Sequence, residues 1–308
     1  MEKINEFRKQ MNSLFLGKEE IVDNVLCAFL AGGHVLLEDV PGVGKTTLAG
    51  CFAHTMGLGF GRVQFTPDTM PGDVTGLTVY NMKSGEFDYR EGAIMKNIVL
   101  ADELNRTPPK TQSALLEAMA EGMVTVDGIR HPLPDPFMVI ATQNPVSFAG
   151  TYPLPEAQLD RFMMRLSIGY PSEEAELEML RAKMEDDAAD KPAAIMDKKD
   201  IAELKEKAGK VHISDGLLSY MQNIVRSSRN GGDFVLGLSP RALIHLMQAS
   251  RAKAYLSDRD FVKPDDVKQI ALPVLSHRLV LTTEARLKKK DAAQLLNELL
   301  LKVKIPVE

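Results

Sequence analysis

The sequence predicts an α/β fold in which a parallel sheet flanked by helices is followed by a smaller, all-helical domain. Up to about residue 170, short apolar runs alternate with helix-like segments, which is typical of an open parallel sheet. Beyond residue 171, strand patterns nearly vanish and helical patterns dominate. A length of 308 residues fits one large or two ordinary domains. We therefore expect domains of residues 1–171 and 172–308, with the boundary near Pro171-Ser172.

Composition and charge narrow the class of protein. Hydrophobic residues make up 44% of the chain and charged residues 26%, as in globular proteins. The formal net charge of −5 divides into −6 for residues 1–170 and +1 for the remainder, so we do not expect nucleic acid as a partner. No apolar run approaches the ~20 residues of a membrane span. The N-terminus also lacks a secretory apolar core, so we expect cytoplasmic residence without membrane insertion.

The first elements of the chain form a strand, a glycine-rich loop and a helix. Residues 21–30 have helical spacing of apolar side chains, and Gly32-Gly33 end that helix. Residues 34–37 predict a strand, and residues 47–53 predict a second helix. Between them lies Asp39-Val40-Pro41-Gly42-Val43-Gly44-Lys45-Thr46, in the context that a phosphate-binding loop requires.

This loop carries the candidate nucleotide-binding residues. Gly42 and Gly44 let successive N–H groups turn toward an anion, and the helix adds its positive end. Lys45 can reach the β- and γ-phosphates, and the Thr46 hydroxyl can ligate Mg²⁺. Asp39 replaces the usual first glycine, which we attribute to the tolerance of Asp for unusual backbone angles. The alternative is a glycine-rich turn that binds nothing. The predicted binding residues are Pro41, Gly42, Val43, Gly44, Lys45, Thr46 and Thr47.

Two hairpins are predicted to interrupt the first domain. The first covers residues 76–89, with Lys83-Ser84-Gly85 at its turn. The second covers residues 123–130, and its Asp127-Gly128 pair is a two-residue hairpin signal. On fold grounds alone, the less favoured alternative is that both hairpins only decorate the sheet.

Two acidic residues follow the next predicted strand, residues 97–101. Ligands of parallel sheets bind beyond the carboxyl ends of the strands, where Asp102 and Glu103 are expected. We predict that Asp102 holds Mg²⁺ through water and that Glu103 orients or deprotonates the attacking water. Alternatively, these acids cap a helix, although we expect that helix to begin later, at Thr107-Pro108.

Asn144 follows a further predicted strand, residues 137–142. At that edge its amide can bond the attacking water or the γ-phosphate, although Asn-Pro alone is an ordinary turn signal.

Arg161 lies near the end of the first domain. It is not readily placed beside Lys45 of the same subunit, and we predict that it stabilises the γ-phosphate of a neighbour's nucleotide. The alternatives are a surface ion pair between Asp160 and Arg161, or Arg165 in the same role.

The second domain contributes Arg241. Ser239 can cap a helix, Pro240 fits its first position, and Arg241 lies in the first turn. The helix dipole disfavours a cation there, which suggests that Arg241 serves a phosphate, although it could also face solvent. Predicted helices of this domain cover residues 173–184, 201–208, 216–226, 241–255, 264–275 and 291–303.

The ordered set of Gly-Lys-Thr loop, Asp102-Glu103, Asn144, Arg161 and Arg241 resembles an AAA+ ATPase, with Walker A, Walker B, sensor 1, arginine finger and sensor 2 in that order. Longer strings resemble the MoxR family within that class. They are residues 35–46 (VLLEDVPGVGKT), 64–68 (QFTPD), 101–106 (ADELNR), 108–112 (PPKTQ), 150–162 (GTYPLPEAQLDRF) and 239–242 (SPRA).

The resemblance implies properties that the residues alone do not. It implies Mg²⁺-dependent hydrolysis of ATP, with Glu103, Lys45, Asn144, Arg161 and Arg241 as catalytic residues and Thr46 and Asp102 at the metal. It equates the hairpins with the helix-2 insert and the pre-sensor-1 hairpin, which face the pore or the partner in such rings. It further implies a homo-oligomeric ring, typically a hexamer. Such rings act as chaperones that mature or activate client complexes, often with von Willebrand factor A domain proteins. Whether Arg241 acts in cis or in trans stays open.

Three other functions remain as alternatives. A nucleic-acid-stimulated AAA+ motor would show ATPase stimulation by DNA or RNA with steep salt dependence. A metal-chelatase motor subunit would need a partner with an integrin-like domain. A small-molecule P-loop kinase would need an acceptor pocket and no arginine at an intersubunit edge.

Overall fold

The structure is a computed structural model that describes residues 1–144, 150–184, 193–230 and 232–305. The strands are β1 (Val35–Glu38), β2 (Phe60–Gln64), β3 (Gly76–Asn81), β4 (Glu86–Glu91), β5 (Ile98–Asp102), β6 (Met123–Val126), β7 (Ile129–Pro132), β8 (Met138–Gln143), β9 (Met164–Leu166), β10 (Phe234–Leu236) and β11 (Val280–Leu281). The helices are α1 (Glu2–Leu14), α2 (Glu19–Leu30), α3 (Lys45–Thr55), α4 (Pro71–Thr75), α5 (Pro109–Glu121), α6 (Glu156–Leu159), α7 (Glu173–Met184), α8 (Lys198–Gly209), α9 (Asp215–Asn230), α10 (Pro240–Leu256), α11 (Pro264–Leu275), α12 (Thr283–Leu287) and α13 (Ala292–Lys302).

A parallel sheet organises the first part of the chain, as predicted. Within the described residues its strand order is β2-β5-β8-β1-β9, and every neighbouring pair runs parallel. Successive side chains alternate between two apolar clusters, with Leu36 in one and Val35 and Leu37 in the other. The register aligns the carboxyl ends of the strands, pairing Gln64 with Asp102 and Glu38 with Gln143. One edge of the sheet therefore collects the polar residues that follow each strand.

Both predicted hairpins are present. β3 pairs antiparallel with β4, and β6 pairs antiparallel with β7. Asp127 and Gly128 both have positive φ, 50° and 81°, which a tight two-residue turn requires. The ring of Tyr89 on β4 stacks on His131 of β7 with centroids 3.7 Å apart. This stack joins the two hairpins side by side.

The second part of the chain is helical, but it is not all-helical as predicted. β10 and β11 form an antiparallel two-stranded sheet, and the short helix α12 follows it. Both strands are two or three residues long and pair across more than 40 positions, so no local periodicity predicts them. The last strand of the parallel sheet ends at Leu166 and α7 begins at Glu173. The domain boundary at residue 171 stays a prediction.

The helical part packs directly on the N-terminal helices. One buried apolar cluster runs from Phe29 of α2 through Leu246 of α10 to Ile270 of α11. The buried Cys27 thiol donates to the Ala249 carbonyl oxygen across this contact at 3.3 Å. Over the described residues, no helix is long and apolar enough to span a membrane.

Candidate functional site

The glycine-rich loop connects the end of β1 to the start of α3. Gly42 and Gly44 have φ of 89° and 90°, a region that side chains rarely adopt. A Cβ on Gly44 would also lie 2.9 Å from the Phe15 ring, so the position has no room for a side chain. Thr46 and Thr47 are exposed in the first turn of α3, where N–H groups have no partner within the helix. The glycine geometry is therefore compatible with a phosphate-binding loop, and the binding role of these residues stays a prediction.

Asp39 is the first residue of the loop, and the reason for an aspartate at this position differs from the one predicted. Its backbone does not have a positive φ, so tolerance of unusual angles does not explain it. Its buried carboxylate instead accepts hydrogen bonds from the Ser167 hydroxyl and the Ile168 N–H, both at 2.7 Å, and from the Gly169 N–H at 3.1 Å. This side chain ties the loop to the segment that follows β9.

A cavity of about 360 Å³ joins the loop to the carboxyl edge of the sheet. Most of the predicted site residues meet there, but Val43, Arg161 and Arg241 do not line it. Its lining residues are Pro41, Gly42, Gly44, Lys45, Thr46, Thr47, Arg62, Asp102, Glu103 and Asn144. A larger cavity of about 720 Å³ lies in the helical part beside Arg226 and Glu298, far from the glycine-rich loop in sequence and outside this constellation.

Lys45 is the cation of the loop. Its ammonium group donates to the Asp39 carbonyl oxygen at 2.7 Å. Burial lowers the pKa of Lys45, while the carboxylates of Asp39, Asp102 and Glu103 act in the opposite direction. The ammonium group thus lies within the field of both Asp102, the predicted metal ligand, and Glu103, the predicted catalytic acid.

Asp102 ends β5 with both carboxylate oxygens engaged. The Thr142 hydroxyl of β8 donates to Oδ1 at 2.7 Å, and Arg62 of β2 donates to Oδ2 at 2.8 Å. A carboxylate and a nearby threonine hydroxyl are hard oxygen ligands of the kind that Mg²⁺ prefers, so Asp102 and Thr46 fit the predicted metal.

Glu103 turns the chain out of β5. Its φ of 56° is left-handed, and its N–H donates to Thr142 Oγ1 at 2.8 Å. Its Oε2 accepts from Arg106 at 2.8 Å and from Gln64 Nε2 at 3.1 Å. α5 begins at Pro109 with Pro108 as its N-cap and no side-chain cap bond. The alternative that these acids cap that helix is therefore not what the structure shows.

Asn144 lines the cavity at the end of β8, as its position in the sequence predicts. Its backbone carbonyl oxygen accepts a hydrogen bond from the side-chain nitrogen Nδ2 of Asn105 at 3.4 Å. The cavity thus brings the loop, both acids and this amide together.

Arg161 lies away from the cavity and donates to the Leu116 carbonyl oxygen of α5 at 2.6 Å. Asp160 bonds elsewhere: it accepts from Ser239 Oγ at 3.0 Å, from Arg278 Nε at 2.9 Å and from Arg241 Nη1 at 3.4 Å. The alternative of an Asp160–Arg161 surface pair is therefore not formed.

Arg165, the alternative finger, pairs with Glu38 Oε2 at 3.2 Å.

The Arg241 helix begins as predicted, since Ser239 Oγ accepts from the Ala242 N–H at 3.1 Å and Pro240 is the first helical residue. The Arg241 guanidinium is half-exposed beside Asp160. It shares that carboxylate with Arg278, which is almost fully buried. Arg278 also donates to the carbonyl oxygens of residues 160, 162, 163 and 274 and contacts His245 Nδ1 at 2.6 Å. We call Asp160, Ser239, Arg241, Arg278 and His245 the Asp160 junction.

Sequence reasoning missed several residues of these two regions. Arg62 and Gln64 alternate on β2 beside the acids, and Thr142 precedes the predicted Asn144 by two positions. The polar alternation of β2 toward the same edge could have indicated the first two. Arg278 lies 118 positions from Asp160, and no local pattern links them.

Comparison with known proteins adds the family. Residues 34–164 match the family model described as "ATPase family associated with various cellular activities (AAA)", and residues 226–299 match the AAA lid domain. The chain is 49% identical to YeaC of Bacillus subtilis over 97% of this chain and 94% of that protein. It is 39% identical to Chaperone MoxR1 of Mycobacterium tuberculosis over 96% of this chain and 81% of that protein.

A solved structure agrees with these matches. The crystal structure described as "a putative ATPase" from Cytophaga hutchinsonii superimposes with a TM-score of 0.92 and 39% identity. The match covers 99% of this chain and 96% of that one. The likeness therefore extends over both the sheet domain and the helical part.

Proposed function

Because this chain belongs to the MoxR family of AAA+ ATPases, we propose that it hydrolyses ATP with Mg²⁺ and couples hydrolysis to the remodelling of client protein complexes. The observation that carries the proposal is the single cavity in which the loop cation Lys45 meets Asp102, Glu103 and Asn144. Its volume of about 360 Å³ is within the range of sites for small ligands. The domain bounds of residues 1–171 and 172–308 are part of the same proposal.

Each residue has a role that its position supports. The N–H groups of residues 42–47 and the Lys45 ammonium group bind the phosphates. Thr46 and Asp102 hold the metal, Asp102 through water. Glu103 orients the attacking water and accepts its proton, and Asn144 donates to that water or to the γ-phosphate. Held there, Mg²⁺ would supply positive charge that offsets the charge of the phosphates.

Arg161 and Arg241 complete the site from a neighbouring protomer in this proposal. Both lie outside the cavity of their own chain, and Asp160 holds Arg241 beside the backbone of Arg161. A head-to-tail ring, which we expect to be a hexamer, would bring this surface against the next cavity. Arginine supplied in trans stabilises charge on the transferred phosphoryl group.

Glu103→Gln tests the ATPase role. We expect turnover to fall about 10²–10⁴-fold, the usual contribution of a general base, while ATP binding is retained. Glu121→Gln, an exposed residue at the end of α5, is the matched control and should keep parental turnover. Equal turnover in Glu103→Gln and parent would remove Glu103 from the mechanism.

A mixing experiment tests the role of Arg161. Arg161→Ala and Glu103→Gln should each be nearly inactive alone. Mixed before assembly, they should recover turnover, because a Glu103→Gln protomer supplies Arg161 to the intact cavity of its neighbour. Absence of recovery, with mixed assemblies verified by mass, would place Arg161 in cis or outside the site.

The client role needs a separate test. Chaperone MoxR1, at 39% identity, is the relative whose name supports it. We expect Glu103→Gln with ATP to retain a client complex, together with a von Willebrand factor A domain protein. Release of that complex by the parent protein only while ATP is hydrolysed would support remodelling. Release that needs no hydrolysis would contradict it.

A further inference from the structure

Arg62 is the charged residue of the cavity that no part of the proposed mechanism uses. It lies on β2, the edge strand next to β5, and its side chain is about half exposed. One guanidinium nitrogen, Nη2, donates both to Asp102 Oδ2 and to Gln64 Oε1, each at 2.8 Å. With Thr142 on the other oxygen, the Asp102 carboxylate has a partner on each side. The metal-binding carboxylate is therefore already paired with a cation of its own chain.

The same strand also reaches the second acid. Gln64 accepts from Arg62 with Oε1 and donates to Glu103 with Nε2 at 3.1 Å. Arg62 and Gln64 lie two positions apart on β2, so their side chains share one face. This arrangement links Asp102 and Glu103 through two neighbouring side chains. A change at Asp102 can therefore be passed to Glu103 along hydrogen bonds.

Another cation can replace Arg62 beside Asp102 at a small cost in free energy. The Arg62 side chain is 47% exposed and that of Asp102 is 13% exposed, so water reaches the guanidinium, and a pair solvated on one side contributes about 1 kcal/mol in net free energy. The cavity also holds Lys45, so a metal-free nucleotide would meet two cations, whereas Mg²⁺ would have to approach a carboxylate that Arg62 already neutralises.

We propose that Arg62 is a positioning residue that occupies Asp102 when the site holds no metal and yields it when metal and nucleotide bind together. Arg62 then competes with the divalent cation for Asp102 and adds positive charge near the phosphates when the metal is missing. The inference rests on the proposed ATP site, and it goes further by assigning Arg62 the coupling between metal and nucleotide.

Arg62→Gln in the full chain tests the exchange. The probe is a fluorescent ATP analogue, titrated in EDTA and again at saturating Mg²⁺, and the Mg²⁺ midpoint is measured at fixed probe. Loss of one partly exposed charge interaction of up to about 1 kcal/mol corresponds to about a fivefold change. We expect binding in EDTA to weaken by about that factor and the Mg²⁺ midpoint to fall by a similar factor.

Two control variants separate charge from structure. Arg62→Lys keeps the charge and should lie closer to the parent on both measurements. Arg90→Gln changes an exposed arginine of the first hairpin and should change neither. Thermal unfolding should be the same for all variants, since Arg62 is not buried.

The outcomes distinguish this inference from the proposed function. If the parent binds no ATP analogue, the proposed function fails. If the parent binds it but Arg62→Gln leaves both the EDTA affinity and the Mg²⁺ midpoint unchanged, Arg62 has no part in the exchange. Equal weakening with and without Mg²⁺ would also overturn the inference, because it would make Arg62 a plain phosphate contact.

Discussion

The cavity and the Asp160 junction are both clusters of arginine and carboxylate, but they differ in exposure. The arginines that hold the cavity acids, Arg62 and Arg106, have side chains that are 47% and 51% exposed. Arg278, which holds Asp160, is 2% exposed. Exposed pairs are cheap to break, whereas removing one partner of a buried pair is strongly destabilising. The comparison shows that the arginines of the cavity are solvated and contribute little net free energy, whereas the junction depends on a buried arginine.

The Asp160 junction lies directly beside Arg161, one of the residues of the proposed mechanism. Asp160 immediately precedes Arg161, and its carboxylate bonds Ser239, Arg241 and Arg278 of the helical part. We therefore expect a displacement of the start of α10 to reach the backbone of Arg161 through Asp160. The two arginines proposed to act on a neighbour's nucleotide would move together, while the cavity acids respond to ligand within their own chain.

The largest expected effect comes from Arg278→Met. It leaves Asp160 with half-exposed Arg241 as its remaining cation and removes several bonds to carbonyl oxygens, so we expect a loss of about 3–5 kcal/mol in the free energy of unfolding. Arg106→Met, the matched exposed arginine, should lose about 1 kcal/mol or less. Urea unfolding of both variants measures the difference. Equal losses would remove the distinction between the two clusters.

The second-largest expected effect is a decrease in the free energy of unfolding at low pH, caused by a histidine of the Asp160 junction. Burial, followed by the charges of Arg278 and Arg241, lowers the pKa of His245 to about 3 from 6.5. The unfolded chain thus binds more protons than the folded chain between these values, and stability present above pH 6.5 is lost as pH falls, by at most about 1.4 kcal/mol per pH unit for one histidine. Urea unfolding between pH 7.5 and 5 should show this slope.

Substitution of His245 tests how much of this pH dependence of stability comes from that residue. His245→Gln should reduce it but not remove it, because burial also lowers the pKa of His34 to about 4 and the pKa of His277. An unchanged slope in His245→Gln would mean that the junction histidine does not titrate on unfolding.

Thr142→Val should have an intermediate effect within the cavity. The hydroxyl donates to Asp102 and accepts from the Glu103 N–H, and it is almost fully buried. We expect a loss of about 1–3 kcal/mol in the free energy of unfolding, the cost of unpaired buried polar groups, together with reduced ATP turnover. Thr142→Ser, which keeps the hydroxyl, should recover turnover. If Thr142→Val retains full turnover, the hydroxyl does not position the acids.

The difference between Ser239→Ala and Thr282→Ala is the smallest contrast that we expect, and it sharpens the comparison. Ser239 caps α10 and also donates a hydrogen bond to Asp160. Among the described residues, the Thr282 side chain makes the cap bond of α12 and no second side-chain hydrogen bond. Each loss of a cap should cost about 1 kcal/mol. Ser239→Ala should cost a further ~0.5–1.5 kcal/mol for the bond to Asp160. Equal losses in Ser239→Ala and Thr282→Ala, measured by urea unfolding, would show that this bond contributes nothing.

Local chemistry decided which parts could be predicted from the sequence. The glycine-rich loop, the Asp127-Gly128 turn and the Ser239 cap depend on residues within a few positions of one another, and each was found. Position at a strand end also sufficed to place Asp102, Glu103 and Asn144 in one cavity. The parallel sheet and the long helices followed from periodicity in the same way.

Partners distant in sequence could not be predicted. Arg278 and Asp160, Arg62 and Asp102, and the strands β10 and β11 meet only because the chain folds. Asp39 was identified as the odd residue of the loop but for the wrong reason, since its bonds go to residues 167–169. The bounds of the domains and the roles of the site residues stay predictions.

The apolar cluster shared by α2, α10 and α11 changes what the two family matches mean. Residues 34–164 and 226–299 are separate units of sequence similarity, yet the Phe29 and Cys27 side chains that pack against the helical part lie before both. Cutting the chain between the matches would expose apolar surface on both fragments. We therefore expect neither fragment to be stable in isolation or suitable for fusion to another protein. The N-terminal helices and the helical part therefore share one hydrophobic core.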